Sequence, residues 1–390
     1  MSPRCPIIPT VVVLCLAWSA IGCPVSPEAE HPSSDSATLN VREWRLILLM
    51  FDRNHEKELL AADIQEFAEA DLPEGSVHRI VVRDSQIADG TFAFVDRDTV
   101  RTITDAELLG CDLTTTEGLR TVLGRMSHHF PAPREALLLT GHGRDWTGFG
   151  LRSDAPEQTL TSTATAAALS TREKPPQAHV LVADGSWTAG CEWIAGFSGL
   201  DLHTVFELHT VTVAGEVPPE GLDYRTALTD EALQSAEQFA VHVAESVQSE
   251  PPGAGVALTP HELQTLPTLV ETIATAGVEQ IQSAGTQQEL KADLLDQAVS
   301  VGAPGSSWIS LASGRSALGL ESSGMSTPAL DQMLVYLTDV DLHGVPTGHR
   351  SDYCSNASPT RLSPEFQALG WAPDHEHRRG FLYQLWYHRY

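Results

Sequence analysis

Two short apolar runs in this chain each stop at a glycine that has reactive side chains beside it. Residues 136–143 end in Gly-His-Gly with His142, and residues 178–187 carry Asp184-Gly185-Ser186 at the corresponding place. Unbroken apolar runs of this length are typical of strands buried on both faces of a mostly parallel sheet. Ligands bind beyond the carboxyl ends of such strands. His142 and Ser186 are therefore predicted to form a catalytic pair of base and nucleophile.

The surroundings of this pair resemble those of a known family. Residues 142–146, His-Gly-Arg-Asp-Trp, resemble the His-Gly-x-Gly-Trp signature of clostripain-like cysteine peptidases. That family continues with Asp-x-Cys and a Glu six residues later, where this chain has Asp184, Ser186 and Glu192. Serine thus replaces the nucleophilic cysteine, and Asp145 replaces a glycine. The resemblance covers residues 42 to 300 and implies a caspase-like, three-layer α/β fold with a mostly parallel sheet and a helical C-terminal region.

The same resemblance implies where a ligand binds. Asp184 would lie beneath the nucleophile and help a pocket receive a basic side chain, and Glu216 would add a second negative charge. Two plainer roles stay open, namely a helix cap for Asp184 and a solvated loop position for Glu216. The Ser and Trp of the family's substrate loop are replaced here by Gly215 and Leu222, so the ligand site also departs from the family pattern.

The exchange of sulfur for oxygen decides the functional prediction. A cysteine peptidase depends on a thiolate, whose formation an imidazole and a helix N-terminus favour, whereas a serine hydroxyl needs a base at the moment of attack. No carboxylate in the sequence is an obvious orienting partner for His142. We therefore predict a peptidase homologue without cysteine-peptidase activity that serves as a binding or scaffold module for a peptide or protein. The alternatives are an active Ser186–His142 hydrolase that cleaves after Lys or Arg, and an adhesion or envelope protein with no peptide site.

The sequence pattern also predicts the elements that position the pair. Besides the two strands that carry it, strands are predicted at 44–50, 77–82 and 202–213, with a hairpin over 91–103. Helices are predicted over 59–70, 116–126, 160–169, 188–197, 230–249, 259–276 and 287–299. The α/β core is expected to span residues 41–230, and a helical and mixed region, packed on it, residues 231–390. Ser186 would lie at the start of the 188–197 helix, whose dipole favours an anion. Glu192 would make a structural bond at the base of that helix.

The first residues predict export. Residues 1–23 resemble a signal peptide ending in a bacterial lipobox, with Cys23 as the residue to be lipidated, and residues 24–40 read as a disordered tether. An extracytoplasmic lipoprotein of the cell envelope is thus expected, with secretion after ordinary cleavage as the alternative. The net charge of −27 argues against nucleic acid and anionic bilayers as partners, so the membrane is reached only through the lipid.

The remaining cysteines and histidines suggest neither a disulfide framework nor a metal centre. Cys111, Cys191 and Cys354 allow at most one disulfide beside a lipidated Cys23, and Cys191 lies too far along the chain to replace Ser186. His128-His129 and the Asp-His-Glu-His run at 374–377 lack a third ligand at a defined spacing. No metal and no cofactor are therefore predicted.

Overall fold

The central element is a sheet whose strand order is β4-β3-β2-β1-β5-β6-β7-β8. Its strands are β1 Trp44–Phe51, β2 Val77–Arg83, β3 Asp89–Asp96, β4 Thr99–Leu109, β5 Arg134–Gly141, β6 Ala178–Asp184, β7 Glu207–Val213 and β8 Gly255–Leu258. The five strands from β2 to β7 in the middle of that order are parallel to one another. The hairpin of β3 and β4 joins one side in the antiparallel sense, and β8 closes the other.

The computed structural model describes most of the chain. The described ranges are 41–52, 57–73, 75–96, 99–141, 148–150, 158–172, 175–185, 188–198, 200, 207–213, 222–247, 255–284, 287–302, 305–320, 324–343, 345–348, 362–374 and 377–387. Cys23, His142, Ser186 and Glu216 therefore lie outside the described residues. So do the predicted signal peptide and tether.

Helices cover both faces of this sheet. They are α1 Lys57–Glu69, α2 Asp84–Ile87, α3 Thr116–His129, α4 Ser162–Ser170, α5 Cys191–Ile194, α6 Tyr224–Ala227, α7 Ala236–Ser246, α8 Pro260–Ala284, α9 Gln287–Asp296, α10 Leu311–Ala317, α11 Pro328–Gln332, α12 Pro364–Gln367 and α13 Phe381–Trp386. Within the described ranges, no helix is both long enough and apolar enough to cross a bilayer.

Alternate residues of β1 enter two different cores, as the period of two in a strand requires. Ile47 and Leu49 pack with α3, α4 and α8 on one face. Leu46 and Leu48 pack with α1 and α7 on the other. Each fully buried side chain of this kind contributes roughly 1.5–3 kcal/mol. The predicted three-layer α/β architecture with a mostly parallel sheet is confirmed.

The C-terminal part carries a second, antiparallel sheet. Its strands are β9 Val299–Gly302, β10 Gly305–Ser310, β11 Leu334–Val340 and β12 Pro346–Gly348, in the order β12-β11-β10-β9. The large sheet meanwhile extends past residue 230, because β8 pairs with β7. The end of the predicted α/β core at residue 230 therefore falls between two strands of one sheet.

One predicted element begins later than expected. The helix predicted over 188–197 starts at Cys191 and continues through the 3-10 turn Ala195–Phe197. Gly190 instead lies in a bridge with Leu334, and the Leu334 N–H donates to the Ala189 carbonyl at 3.0 Å. The expectation that Ser186 lies at a helix N-terminus is therefore wrong, since the helix begins five residues further on.

Candidate functional site

The carboxyl ends of β5 and β6 lie side by side, as the prediction of a catalytic pair requires. The two strands are parallel neighbours, and their last paired residues are Thr140 and Asp184. In the sequence, His142 follows Thr140 by two residues and Ser186 follows Asp184 by two. Their own side chains fall outside the described residues.

An aromatic side chain fills the space beneath these strand ends. Phe149 is buried, and its ring centroid lies 6.0 Å from that of Phe51 at the end of β1 and 5.9 Å from that of Trp193 in α5. A Cβ atom on Gly185 would come within 3.2 Å of the Phe149 ring, which explains a glycine next to Ser186. Gly185 and Trp193, which come before and after Ser186 in the sequence, thus lie against the same Phe149 ring.

Asp184 is buried and bound to a segment that comes much later in the chain. Its Oδ2 atom accepts hydrogen bonds from the Leu222 N–H at 3.2 Å and the Tyr224 hydroxyl at 3.3 Å. Burial raises the pKa of Asp184 to about 6, although the bonds from Leu222, Tyr224 and Thr140 oppose the rise. Asp184 does not cap α5, which begins after Gly190 without a side-chain cap. Its carboxylate instead ties the residues before α6 to β6.

Tyr224 and Asp63 complete a polar cluster under the same rung. The Thr140 hydroxyl donates to the Asp63 carboxylate of α1 at 3.2 Å, and both residues are buried. The pKa of Tyr224 is raised well above its usual range by burial, and the charges of Asp184 and Asp63 add to this. Two carboxylates and two hydroxyls thus lie around the last paired residues of β5 and β6. No sequence pattern pointed to Asp63 or Thr140 as members of this cluster.

The raised pKa of Asp184 predicts a specific pH dependence of stability. Because the folded state binds this proton more tightly than the unfolded chain, whose Asp pKa is 3.8, stability falls as the pH rises from about 4 to above 6. Asp184→Asn should remove that slope. Relative to wild type, the variant should gain up to roughly 3 kcal/mol between pH 4 and pH 7.5. Urea unfolding of both proteins at several pH values checks this. Parallel plots of the free energy of unfolding against pH for the two proteins would contradict it.

Two further residues that the sequence singled out turn out to be structural. Cys191 is fully buried, and burial raises the pKa of its thiol well above the usual range, so it cannot serve as the missing nucleophile. The Glu192 carboxylate accepts the Tyr336 N–H of β11 at 2.8 Å. The predicted structural role of Glu192 is thereby confirmed, with its partner in the second sheet. Cys111 and Cys191 are both free thiols.

A network of hydrogen bonds and an ion pair around Asp52 lies at the carboxyl ends of β1 and β2. Asp52 accepts the Ser85 N–H at 3.0 Å and the Ser85 hydroxyl at 2.7 Å, and it also binds Arg83. Burial alone would raise the pKa of Asp52, but its hydrogen-bonding interactions with Asp84 and Ser85, together with the charge of Arg83, outweigh it and lower that pKa to about 2. This network connects the carboxyl end of β1, the strand next to β5, to the start of α2.

One histidine of each run named for metal binding contacts a carboxylate, and His375 and Glu376 lie outside the described residues. His129 Nε2 lies 2.8 Å from Asp105 Oδ2, and His377 Nδ1 lies 2.9 Å from Asp374 Oδ2. Within the described ranges, no group of three His, Cys, Asp or Glu side chains is placed to hold a metal ion.

The fold is that of the C11, or clostripain-like, cysteine proteases. An inactive zymogen C11 protease from Parabacteroides distasonis matches this chain with a TM-score of 0.50 at 14% identity, over 84% of this chain and 94% of that one. This confirms the predicted resemblance at the level of the fold.

Two structures of a secreted C11 cysteine protease from Bacteroides thetaiotaomicron, "iotapain", are also similar. Each has a TM-score of 0.45 and covers 60% of this chain and 70% of that one. The identity is 14% for one and 15% for the complex with an irreversible peptide inhibitor. No family model matches the chain, and no curated protein matches it in sequence.

Proposed function

We propose that this chain is a clostripain-like peptidase homologue that binds a peptide or protein segment beyond the ends of β5 and β6 and lacks cysteine-peptidase activity. The observation that carries the proposal is the parallel rung of Thr140 and Asp184. In the sequence, a histidine and a serine each follow one residue of that rung by two positions. The residue at the nucleophile position is Ser186, not a cysteine.

Among the described residues around that rung, none offers a replacement for a thiolate. Cys191, the cysteine nearest to Ser186 in the sequence, is buried in the core. The helix dipole that would favour an anion begins only at Cys191, on the far side of a bridged Gly190. A serine hydroxyl without such help stays protonated, so attack on a peptide bond depends on the base alone.

The ligand that fits best carries a Lys or Arg side chain. Asp184 has a pKa of about 6, so its buried carboxylate is mostly ionised at pH 7. A cation that reaches such a carboxylate is favoured because burial weakens solvent screening. Glu216 supplies a second negative charge in this proposal. The strongly acidic chain attracts a basic peptide over a longer distance as well.

The direct test is to ask whether the wild-type site has any catalytic chemistry. The purified mature chain and His142→Ala are treated with a fluorophosphonate probe and with peptides that contain Lys or Arg. We expect no labelling of Ser186 and no cleavage by either protein, together with saturable binding of Lys-containing peptides that Asp184→Asn weakens. Labelling that disappears in His142→Ala would instead establish the hydrolase alternative. A partner captured equally well when the cleft is blocked would point to adhesion.

The proposal includes export and attachment through a lipid. Residues 1–23 would direct export, and Cys23 would become the lipidated N-terminus that holds the domain at the envelope through residues 24–40. Expressed in bacteria, the wild-type chain should partition into the detergent phase of a Triton X-114 extract, and Cys23→Ala should move to the aqueous phase. Wild-type protein in the aqueous phase would show ordinary secretion instead.

A further inference from the structure

A cavity of about 670 Å³ lies at the amino ends of the parallel strands, at the opposite edge of the sheet from the predicted pair. Its walls come from the first residues of β1, the segments before β5 and β6, and α3. Five basic side chains line it, namely Arg45, Arg120, Arg125, His128 and Arg172, and no acidic residue of the described ranges does. Four arginines around one cavity are unusual in a chain with a net charge of −27.

Two of these arginines share a single buried carboxylate. Glu135 is fully buried, and it accepts Arg45 Nε at 2.7 Å and Arg172 Nη2 at 3.1 Å. His179 Nδ1 also lies 3.0 Å from Glu135 Oε1, but burial lowers the pKa of His179, which keeps the imidazole neutral at pH 7. Among the described residues, the cluster therefore holds two guanidinium charges against one carboxylate, an excess of one positive charge at the wall of the cavity.

That excess charge has structural consequences that an anion would relieve. Arg45 is 2% exposed and Arg172 is 8% exposed. Burial lowers the pKa of Arg45, and the charge of Arg172 adds to this effect while Glu135 opposes it. An anion in the cavity would offset the repulsion between the Arg45 and Arg172 charges at its wall.

The other two arginines are held by carboxylates that do not line the cavity. Arg125 binds Asp105 and Glu107, while Arg120 pairs with Glu117, whose side chain is 72% exposed. An exposed pair of this kind contributes about 0–1 kcal/mol.

We propose that this cavity binds a phosphate group, either as free phosphate or as part of a small organic phosphate. Guanidinium groups match phosphate oxygens with two parallel hydrogen bonds, and Arg is the side chain best suited to that geometry. The volume falls within the range of small-molecule sites, roughly 300–1,000 Å³, and exceeds what one phosphate ion fills. The site is distinct from the predicted peptide cleft and does not depend on Ser186.

The test measures binding to the full mature chain at constant ionic strength. Inorganic phosphate and glucose 6-phosphate are titrated by calorimetry and by thermal shift, with glucose and potassium chloride as controls. We expect saturable binding of at least one phosphate compound, a rise in Tm with its concentration, and no response to glucose or chloride. Glucose 6-phosphate binding tighter than phosphate would identify an organic ligand, and equal affinities would identify the free ion.

Two matched variants locate the effect. Arg120→Gln should weaken the affinity about tenfold, because it removes one charge-assisted contact while leaving an exposed surface position. Arg101→Gln, an exposed arginine of β4 outside the cavity, should leave the affinity unchanged. The absence of saturable binding, or equal binding by wild type and Arg120→Gln, would overturn the proposal.

Discussion

Ser186→Cys is expected to give the chain a peptidase activity that the wild type lacks. An unperturbed thiol has a pKa of about 8.5 and is already a few per cent thiolate at neutral pH, whereas a serine hydroxyl is not measurably ionised. A neighbouring imidazole lowers the thiol pKa further. Cleavage of Lys- and Arg-containing peptides should rise at least ~10³-fold above wild type, which corresponds to about 4 kcal/mol of barrier.

Three controls make that result interpretable. Ser186→Ala should be as silent as wild type, and Ser186→Cys combined with His142→Ala should lose the gained activity. Equal thermal unfolding of all variants would show that the fold is unchanged. If Ser186→Cys folds but does not cleave these peptides, the cleft no longer accepts a peptide. The nucleophile would then not be the sole cause of inactivity. Cleavage by wild type would refute the proposed lack of activity.

Glu135→Gln is expected to be the most destabilising single substitution considered for this chain. Glu135 is fully buried and is the shared counter-charge of Arg45 and Arg172. Removing its charge leaves two buried guanidinium groups without compensation. Breaking a buried ion pair in this way typically costs about 3–5 kcal/mol. Urea unfolding at pH 7 measures the loss.

A matched variant and a pH series separate the charge effect from general damage. Glu107→Gln removes a carboxylate that is 69% exposed and pairs with Arg125, so it should cost less than about 1 kcal/mol. Burial alone would raise the pKa of Glu135, but Arg172 and Arg45 hold it well below the ordinary 4.5. The stability it contributes is therefore complete above pH ~4.5 and is lost as the pH falls below that value.

The difference in the free energy of unfolding between wild type and Glu135→Gln should accordingly become smaller as the pH falls below about 4.5. A difference that stays constant from pH 7 to pH 3 would show that shape, not charge, is what Glu135 supplies.

The strand ends around the proposed site were predictable from the sequence for a simple reason. A strand buried on both faces needs a continuous apolar run, and the runs before His142 and Ser186 stop where the chain must leave the sheet. The structure places them as adjacent parallel strands, with Thr140 opposite Asp184. The hairpin predicted over 91–103 is likewise present as β3 and β4.

The features that the sequence missed depend on partners far away along the chain. Asp184 is bound by Leu222 and Tyr224, and its raised pKa follows from burial that no local pattern reports. Glu135 gathers Arg45 and Arg172 from separate segments. Each pairing becomes visible only when the chain is folded, because charge and burial depend on spatial neighbours.

The start of α5 shows most directly which features the sequence determines and which depend on tertiary contacts. By itself, the amino-acid sequence determined the buried strands, the order of polar residues at their ends, and the serine in the place of a cysteine. Tertiary structure decided that the chain after Ser186 pairs with β11 before any helix begins, since the Ala189 carbonyl accepts the Leu334 N–H. A backbone group that finds a partner in another sheet has no need of a local helix, so the helix and its dipole begin only at Cys191.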